Sequence, residues 1–229
     1  MQNILNEILL SENVVEKFYK YYDKAQFKNW ITSILPELED CRNTEQNNPW
    51  HIYNVLEHIL HSVEEINKLT KTLKEDESRM LAYTMFLHDI GKPLCKTRRY
   101  SALYKREVDS FFEHNKVSKK IADRVLNSFG FSIKEQNIIK TLIEEHDWFM
   151  FVVLKDDGNK YHKVLTNSLL KEQIANLNKT YNGIKMMEYL TRVGIADNMA
   201  QNPSLTKESL EKINIIKNML KNIKENTKD

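Results

Sequence analysis

The residues of this sequence that are best suited to chemistry are histidines and aspartates placed at the ends or on the inner faces of predicted helices. His88 and Asp89 are adjacent and directly follow the apolar run from Met80 to Leu87. Such a run predicts a helix that is buried on all sides and ends in two polar side chains. Burial of two such groups costs several kcal/mol unless they bind hydrogen-bonding partners or a metal. Further ligands are therefore expected nearby.

Three other predicted helices each place one ligand-type side chain on an inward face. Each of these side chains lies about one helical turn from a residue of the same face: His58 from Val55 and Ser62, His146 from Leu142, and Asp197 from Val193. A lone buried histidine is more simply explained as a core residue bonded to a backbone carbonyl. Imidazole and carboxylate groups that converge from several helices are, however, how helical bundles build metal sites. The mixed nitrogen and oxygen donors suit Mn, Fe, Ni, Co or Zn.

The elements that must position these side chains are predicted to be helices. Only five glycines and four prolines occur in 229 residues, which favours helices joined by short loops. The clearest signals are helical spacing over residues 2–35 up to Pro36, a long amphipathic helix over 50–73, a capping box formed by Ser132 and Glu135, and a final amphipathic helix over 206–224. The sequence therefore predicts an all-α fold.

Two segments lack a helical period. Residues 92–106 are rich in Lys and Arg and are predicted to form a loop that could cover a phosphate site. Residues 151–166 contain the turn signal from Asp156 to Asn159, which could join either two short strands or two helices. The pattern leaves that choice open.

Composition narrows the class of protein. Lys and Arg number 34 against 32 Asp and Glu, so the overall charge gives no argument for binding to a nucleic acid duplex. The two cysteines, Cys41 and Cys95, form no paired motif, which suits the reducing cytoplasm. The longest strongly apolar patch, Met80 to Leu87, is far shorter than the roughly 20 residues that a bilayer requires. We expect a cytoplasmic protein without a membrane partner.

The order His58, His88-Asp89, Asp197 resembles the H, HD, D pattern of the HD superfamily of metal-dependent phosphohydrolases. The run from Phe86 to Pro93, followed by Phe112 to Asn115, is similar to HD modules of bacterial tRNA nucleotidyltransferases. The resemblance implies an HD-domain helical bundle with additional terminal helices. We expect a single domain over 1–229, with an HD core at about 48–202, an N-terminal helical extension over 1–47 and a C-terminal helix over 204–226.

The resemblance also implies a set of metal ligands. One metal would be held by His58, His88, Asp89 and Asp197. Asp89 would be free to bridge to a second ion, and His114 and His146 match the extra histidines of two-metal members. One or two divalent transition metal ions are expected (Mn, Fe, Ni, Co or Zn, with Mg as a further option), and a metal-activated hydroxide would be the nucleophile. Asp147 is predicted to orient His146.

Lys92, His51 and Arg98 are the candidates for contact with the substrate. Lys92 follows the His-Asp pair by one short turn, where its ammonium could neutralise phosphate charge. His51 precedes His58 by seven residues and is predicted to lie about 10 Å away along the same helix. We assign His51 a phosphate or leaving-group role, with a hydrogen bond at the helix start as the equal alternative. Arg98 belongs to a basic segment that an exposed loop would explain more simply.

The implied function is a phosphomonoesterase or phosphodiesterase that acts on a nucleotide or a 2′,3′-cyclic phosphate, with an RNA 3′ end as a further substrate. The sequence lacks the Gly-Ser and paired-Asp signature of the nucleotidyltransferase catalytic half, and it lacks the Gly-Tyr-Pro element of HD-type cyclic-di-GMP phosphodiesterases. Two alternatives stay open: a di-iron oxygenase on the same scaffold, and a non-catalytic nucleotide-binding module. The oligomeric state is also left open.

Overall fold

The computed structural model describes residues 1–225, and helices make up most of that part of the chain. The helices are α1 (Gln2–Leu9), α2 (Val14–Tyr22), α3 (Ala25–Ile34), α4 (Glu37–Arg42), α5 (Val55–Thr70), α6 (Glu75–Leu87), α7 (Lys92–Cys95), α8 (His114–Val125), α9 (Ile133–Glu145), α10 (Asn167–Leu177), α11 (Gly183–Met199) and α12 (Lys207–Glu225). The short strands are β1 (Thr97–Ser101), β2 (Arg106–Ser110), β3 (Val152–Val153) and β4 (Lys163–Val164). The predicted all-α fold is confirmed.

Helix α6 lies at the centre of the bundle. Every residue from Met80 to Leu87 is buried, which confirms the prediction of a helix without a solvent-facing side. Helices α5 and α9 pack against α6, α11 packs against α5, and α8 packs against α9 and also contacts α6. The ends of these central helices carry the predicted ligands.

The N-terminal helices α1 to α4 pack on the same core. Phe18 of α2 stacks on Tyr22 with ring centroids 5.1 Å apart and lies 6.3 Å from the ring of Phe86 in α6. Aromatic pairs at such distances add to the free energy gained by burial. These helices therefore extend the core formed around α5 and α6.

Helix α5 begins later than the amphipathic pattern predicts. The side chain of Asn54 accepts a hydrogen bond from the backbone N–H of Glu57 at 2.9 Å, which makes Asn54 the N-cap. The preceding residues 50–54 are not helical, and the carbonyl of Trp50 instead accepts from the N–H of Asn202 at 2.7 Å. The predicted helix over 50–73 is thus wrong at both ends and spans Val55–Thr70.

The basic segment after α7 is a β-hairpin, and the prediction of a loop over 92–106 is wrong. Strands β1 and β2 pair antiparallel from Thr97↔Ser110 to Ser101↔Arg106. Most of its side chains are exposed, so it lacks the apolar alternation that marks a half-buried strand. Asp109 anchors the hairpin, because its carboxylate accepts from the backbone N–H of Asn47 at 2.8 Å and pairs with Lys96 at 2.9 Å.

The remaining connections follow the turn and capping signals of the sequence. Within 151–166 the chain forms two short strands, since β3 and β4 pair in parallel. Ser132 and Glu135 form the predicted capping box at the start of α9. The predicted C-terminal helix corresponds to α12, and its end at residue 226 lies outside the described residues. Across residues 1–225, no helix combines the length and apolar character needed to cross a membrane.

Candidate metal centre

The turn after α6 brings the His-Asp pair against α8. The N–H of Gly91 donates to Oγ of Ser118 at 2.9 Å. A Cβ atom at Gly91 would lie 2.6 Å from the backbone N of Ser118 and 2.8 Å from the carbonyl oxygen of His114. Only glycine permits this close approach. Asp89, in the turn after α6, therefore reaches His114 at the start of α8.

Four histidines face the cluster with the same ring nitrogen. The Nδ1 of each donates to a backbone carbonyl: His58 to Ala200 at 3.3 Å, His88 to Met85 at 2.6 Å, His114 to Phe111 at 2.8 Å and His146 to Ile143 at 2.7 Å. A neutral imidazole that donates through Nδ1 presents a lone pair on Nε2. All four Nε2 atoms are thereby prepared as metal ligands.

The first ligand set surrounds Oδ2 of Asp89. That oxygen lies 3.1 Å from Nε2 of His58 and 3.3 Å from Nε2 of His88. Oδ1 of Asp197 lies 3.0 Å from the His58 nitrogen and 3.6 Å from the His88 nitrogen. His58, His88 and Asp89 are buried, while Asp197 is 15% exposed. One ligand atom from each of these four residues fits within a group that could hold a metal ion.

The second ligand set surrounds the other oxygen of the same carboxylate. Oδ1 of Asp89 lies 2.9 Å from Nε2 of His114 and 3.7 Å from Nε2 of His146. The two histidine nitrogens are 3.2 Å apart. Asp89 therefore offers one oxygen to each set, which is the arrangement of a bridging carboxylate.

The chemistry of the donors fits a metal. Among residues 1–225, the buried side-chain atoms without a hydrogen-bond partner include both oxygens of Asp89 and the Nε2 atoms of His58 and His88. Oδ2 of Asp89 lies 3.1–3.3 Å from these two nitrogens, but neither contact meets hydrogen-bond geometry. Such a group of converging acceptors is stable only around cations.

The charges of the cluster show the same demand for cations. Burial alone would lower the pKa of His88, but the carboxylates of Asp89 and Asp197 outweigh it and raise that pKa to about 10. Burial likewise opposes ionisation of Asp89, yet His88 and Lys92 hold its pKa well below the usual range. The carboxylates of Asp89 and Asp197 are therefore charged at neutral pH, and this buried negative charge requires cations nearby.

Lys92 is buried beside the cluster and is not an exposed surface lysine. Its Nζ lies 2.6 Å from Oδ2 of Asp89, donates to Oε1 of Gln46 at 2.9 Å and lies 3.1 Å from Nε2 of His51. The ammonium is thus fixed at the edge of the first ligand set, where it can contact an anion bound there.

His51 lies much closer to the cluster than the predicted helix would allow. Residues 43–54 are not helical. The predicted separation of about 10 Å along a helix axis is therefore wrong, and the rings of His51 and His58 have centroids 5.1 Å apart. Nδ1 of His51 donates to Oδ1 of Asn48 at 2.8 Å. Burial and the Lys92 ammonium hold the pKa of His51 well below its usual value. The neutral ring can therefore accept a hydrogen bond from the Lys92 ammonium through Nε2.

Arg98 is not brought into the cluster. Its side chain is 67% exposed, and Nε lies 3.7 Å from Oδ1 of Asp109 on the hairpin. Sequence reasoning missed Gln46 and Asn48, which hold Lys92 and His51. The stretch that contains them precedes Pro49 and shows no helical or strand period. Only their contacts in the folded chain identify Gln46 and Asn48.

The environment of Asp147 differs from the prediction. Nδ1 of His146 is held by the carbonyl of Ile143, so Asp147 does not orient that ring and the prediction is wrong. The Asp147 carboxylate instead lies beside Nε2, with Oδ1 at 3.5 Å from His146 and Oδ2 at 3.6 Å from His114. The carboxylate thus stands on the side of the rings that faces the cluster.

Comparison with known families agrees with this geometry. The model of the HD domain family matches residues 51–197, a span that contains His58, the His88-Asp89 pair and Asp197. This match covers most of the chain, and the chain therefore belongs to the HD domain family. A comparison with curated protein sequences found no match.

Proposed function

We propose that this protein is a metal-dependent phosphohydrolase whose substrate is a nucleotide or a 2′,3′-cyclic phosphate. The observation that supports this most is the position of Asp89, with one oxygen towards His58 and His88 and the other towards His114 and His146. Divalent metals bound to these ligands would supply Lewis acidity and an activated water. The donors suit Mn, Fe, Ni, Co or Zn, with Mg as a weaker candidate.

Lys92 would bind the substrate phosphate. Its ammonium is buried and already lies 2.6 Å from Oδ2 of Asp89, so an anion at the first ligand set would meet a fixed positive charge. A preorganised cation of this kind stabilises charge that develops on phosphate oxygens without further reorganisation. We assign His51 as the positioning residue for Lys92, since its Nε2 lies 3.1 Å from Nζ. Direct contact of His51 with substrate stays a prediction.

A nucleotide suits the surroundings of the cluster. Trp50 precedes His51, is 42% exposed and makes an edge-to-face contact with Tyr104 of the hairpin at 5.7 Å. An exposed aromatic pair can stack on a base. Arg99 and Lys105 of the same hairpin are exposed, and their charges can contact further phosphates. A substrate role for Arg98, an RNA 3′ end as substrate and a special relationship to tRNA nucleotidyltransferase modules stay proposals.

The test begins with elemental analysis of the purified protein. Hydrolysis of an aryl phosphodiester and of a panel of nucleotides and 2′,3′-cyclic nucleotides would then be measured with Mn, Ni, Co or Mg added. The Asp89→Asn variant should lose metal and turnover together. The matched control is Asp156→Asn, because Asp156 lies in an exposed loop outside both ligand sets and its carboxylate accepts from the N–H of Gly158.

Each alternative gives a different result. Hydrolysis that persists unchanged in Asp89→Asn would contradict the proposal. Two bound irons with oxygen consumption and no hydrolysis would support the di-iron oxygenase. Tight nucleotide binding without turnover under any metal would support the non-catalytic module.

A further inference from the structure

The carboxylate of Asp147 occupies a place in the cluster that orientation of a histidine does not explain. A carboxylate that orients a metal-binding imidazole contacts the ring nitrogen turned away from the metal. Here both outward nitrogens, Nδ1 of His114 and of His146, donate to the carbonyls of Phe111 and Ile143. Asp147 contacts the inward nitrogens instead.

Each of its two oxygens approaches one of the two rings. Oδ1 is 3.5 Å from Nε2 of His146 and Oδ2 is 3.6 Å from Nε2 of His114. The same nitrogens face Oδ1 of Asp89. The side chain of Asp147 is only 18% exposed, so a charged carboxylate there needs cationic partners. A metal held by His114 and His146 would provide such a partner.

Asp147 resembles Asp197 of the first set in that its carboxylate approaches the Nε2 atoms of two histidines, although Asp147 does so with two oxygens and Asp197 with one. There, the Nε2 atoms of His58 and His88 each lie near Oδ2 of Asp89 and near Oδ1 of Asp197. In the second set, the nitrogens of His114 and His146 have the other oxygen of Asp89 and the carboxylate of Asp147 as neighbours. Both sets then contain two imidazoles and two carboxylates.

We propose, on the basis of the function proposed above, that Asp147 is a ligand of the second metal position. That position would consist of Asp89, His114, His146 and Asp147, and it would take a divalent first-row transition metal ion. Because its donors match those of the first position, both positions should take the same ion. Without Asp147 the second position keeps three protein ligands and binds metal more weakly.

The test compares Asp147→Asn with wild type and with Asp156→Asn as the matched control. Each protein is stripped of metal, titrated with Mn²⁺ by calorimetry and analysed for bound Mn after gel filtration. Wild type and Asp156→Asn should bind two ions. Asp147→Asn should bind one ion, or bind the second at least about tenfold more weakly. Mutations of residues around a metal site commonly lower metal affinity by that factor or more. The spin-coupled Mn²⁺ signal in electron paramagnetic resonance should disappear with the second ion.

Two further variants keep the inference testable if Asp147→Asn folds poorly. Asp147→Glu retains a carboxylate and should bind two ions, with a changed affinity for the second. Asp197→Asn should weaken the first position and leave the ligands of the second in place. Loss of the same ion in Asp197→Asn and Asp147→Asn would overturn the assignment to separate positions.

The failure of this inference is distinct from the failure of the proposed function. Two ions bound by Asp147→Asn with wild-type affinity would overturn the ligand role while leaving a two-metal phosphohydrolase intact. One ion in wild type together with hydrolysis would overturn the second position alone. No metal in wild type would overturn both.

Discussion

Metal removal should lower the melting temperature of this protein by about 5–11 °C for each ion lost. The metal-free state leaves both oxygens of Asp89 and the Nε2 atoms of His58 and His88 without hydrogen-bond partners. Each such buried atom costs about 1–3 kcal/mol, and metal coordination relieves that cost only in the folded chain. Metal binding is therefore coupled to folding.

The magnitude follows from mass action. At a free ion concentration about 100-fold above Kd, one bound ion stabilises the folded state by about 2.7 kcal/mol. A chain of 229 residues gains about 2–4 °C in melting temperature for each kcal/mol. The product of these two values gives the predicted interval.

The assay is differential scanning fluorimetry of chelator-treated protein with Mn²⁺ added back in steps. The Asp89→Asn variant should show almost no metal-dependent shift, because both ligand sets share that carboxylate. Asp156→Asn should behave as wild type does. A full shift in Asp89→Asn, or no shift in wild type at saturating metal, would refute the assignment of this cluster as a metal site.

Three more predictions follow from the same geometry. Lys92→Met should lower kcat by about 10²–10³-fold while bound metal, measured by elemental analysis, stays unchanged; loss of metal would contradict a substrate role. The pKa of His88 is about 10 without metal, so the ring is protonated at pH 7. Metal uptake should therefore release a proton, and the affinity for metal should weaken as the pH falls. Binding heats measured by calorimetry should depend on the ionisation enthalpy of the buffer, and heats that do not would contradict this prediction. Gly194→Ala would place a Cβ atom 2.6 Å from the Phe149 ring. This clash should lower the free energy of unfolding, measured by urea denaturation, by about 1–3 kcal/mol. Wild-type stability of the variant would show that the Phe149 ring can move aside.

The helices that carry the ligands could be predicted because burial imposes a period on the sequence. The run from Met80 to Leu87 is buried on every side, and its polar ending at His88-Asp89 stands out for that reason. His58 and Asp197 follow the apolar stripes of α5 and α11. Each lies where the helical repeat places it, so the first ligand set could be inferred from periodicity and a family pattern.

The surroundings of the ligands could not be inferred in the same way. Asn54 caps α5, and the competing helix start at Pro49 hid the position of His51. The hairpin faces solvent on most of its surface and thus carries no apolar alternation. Asp147 adjoins His146 in the sequence, but only the three-dimensional ring orientation shows which nitrogen its carboxylate meets. Contacts of this kind depend on local geometry that no sequence period encodes.

The backbone acceptors of the four histidines have a consequence for how the cluster tolerates mutation. The oxygens that hold the rings belong to Met85, Phe111, Ile143 and Ala200, and every amino acid supplies the same carbonyl. No single substitution of these four side chains deletes the acceptor, unlike a carboxylate that holds a ring in place. The orientation of the rings is thus set by the backbone. Sequences could diverge widely around this site while the four Nε2 atoms still point towards the cluster.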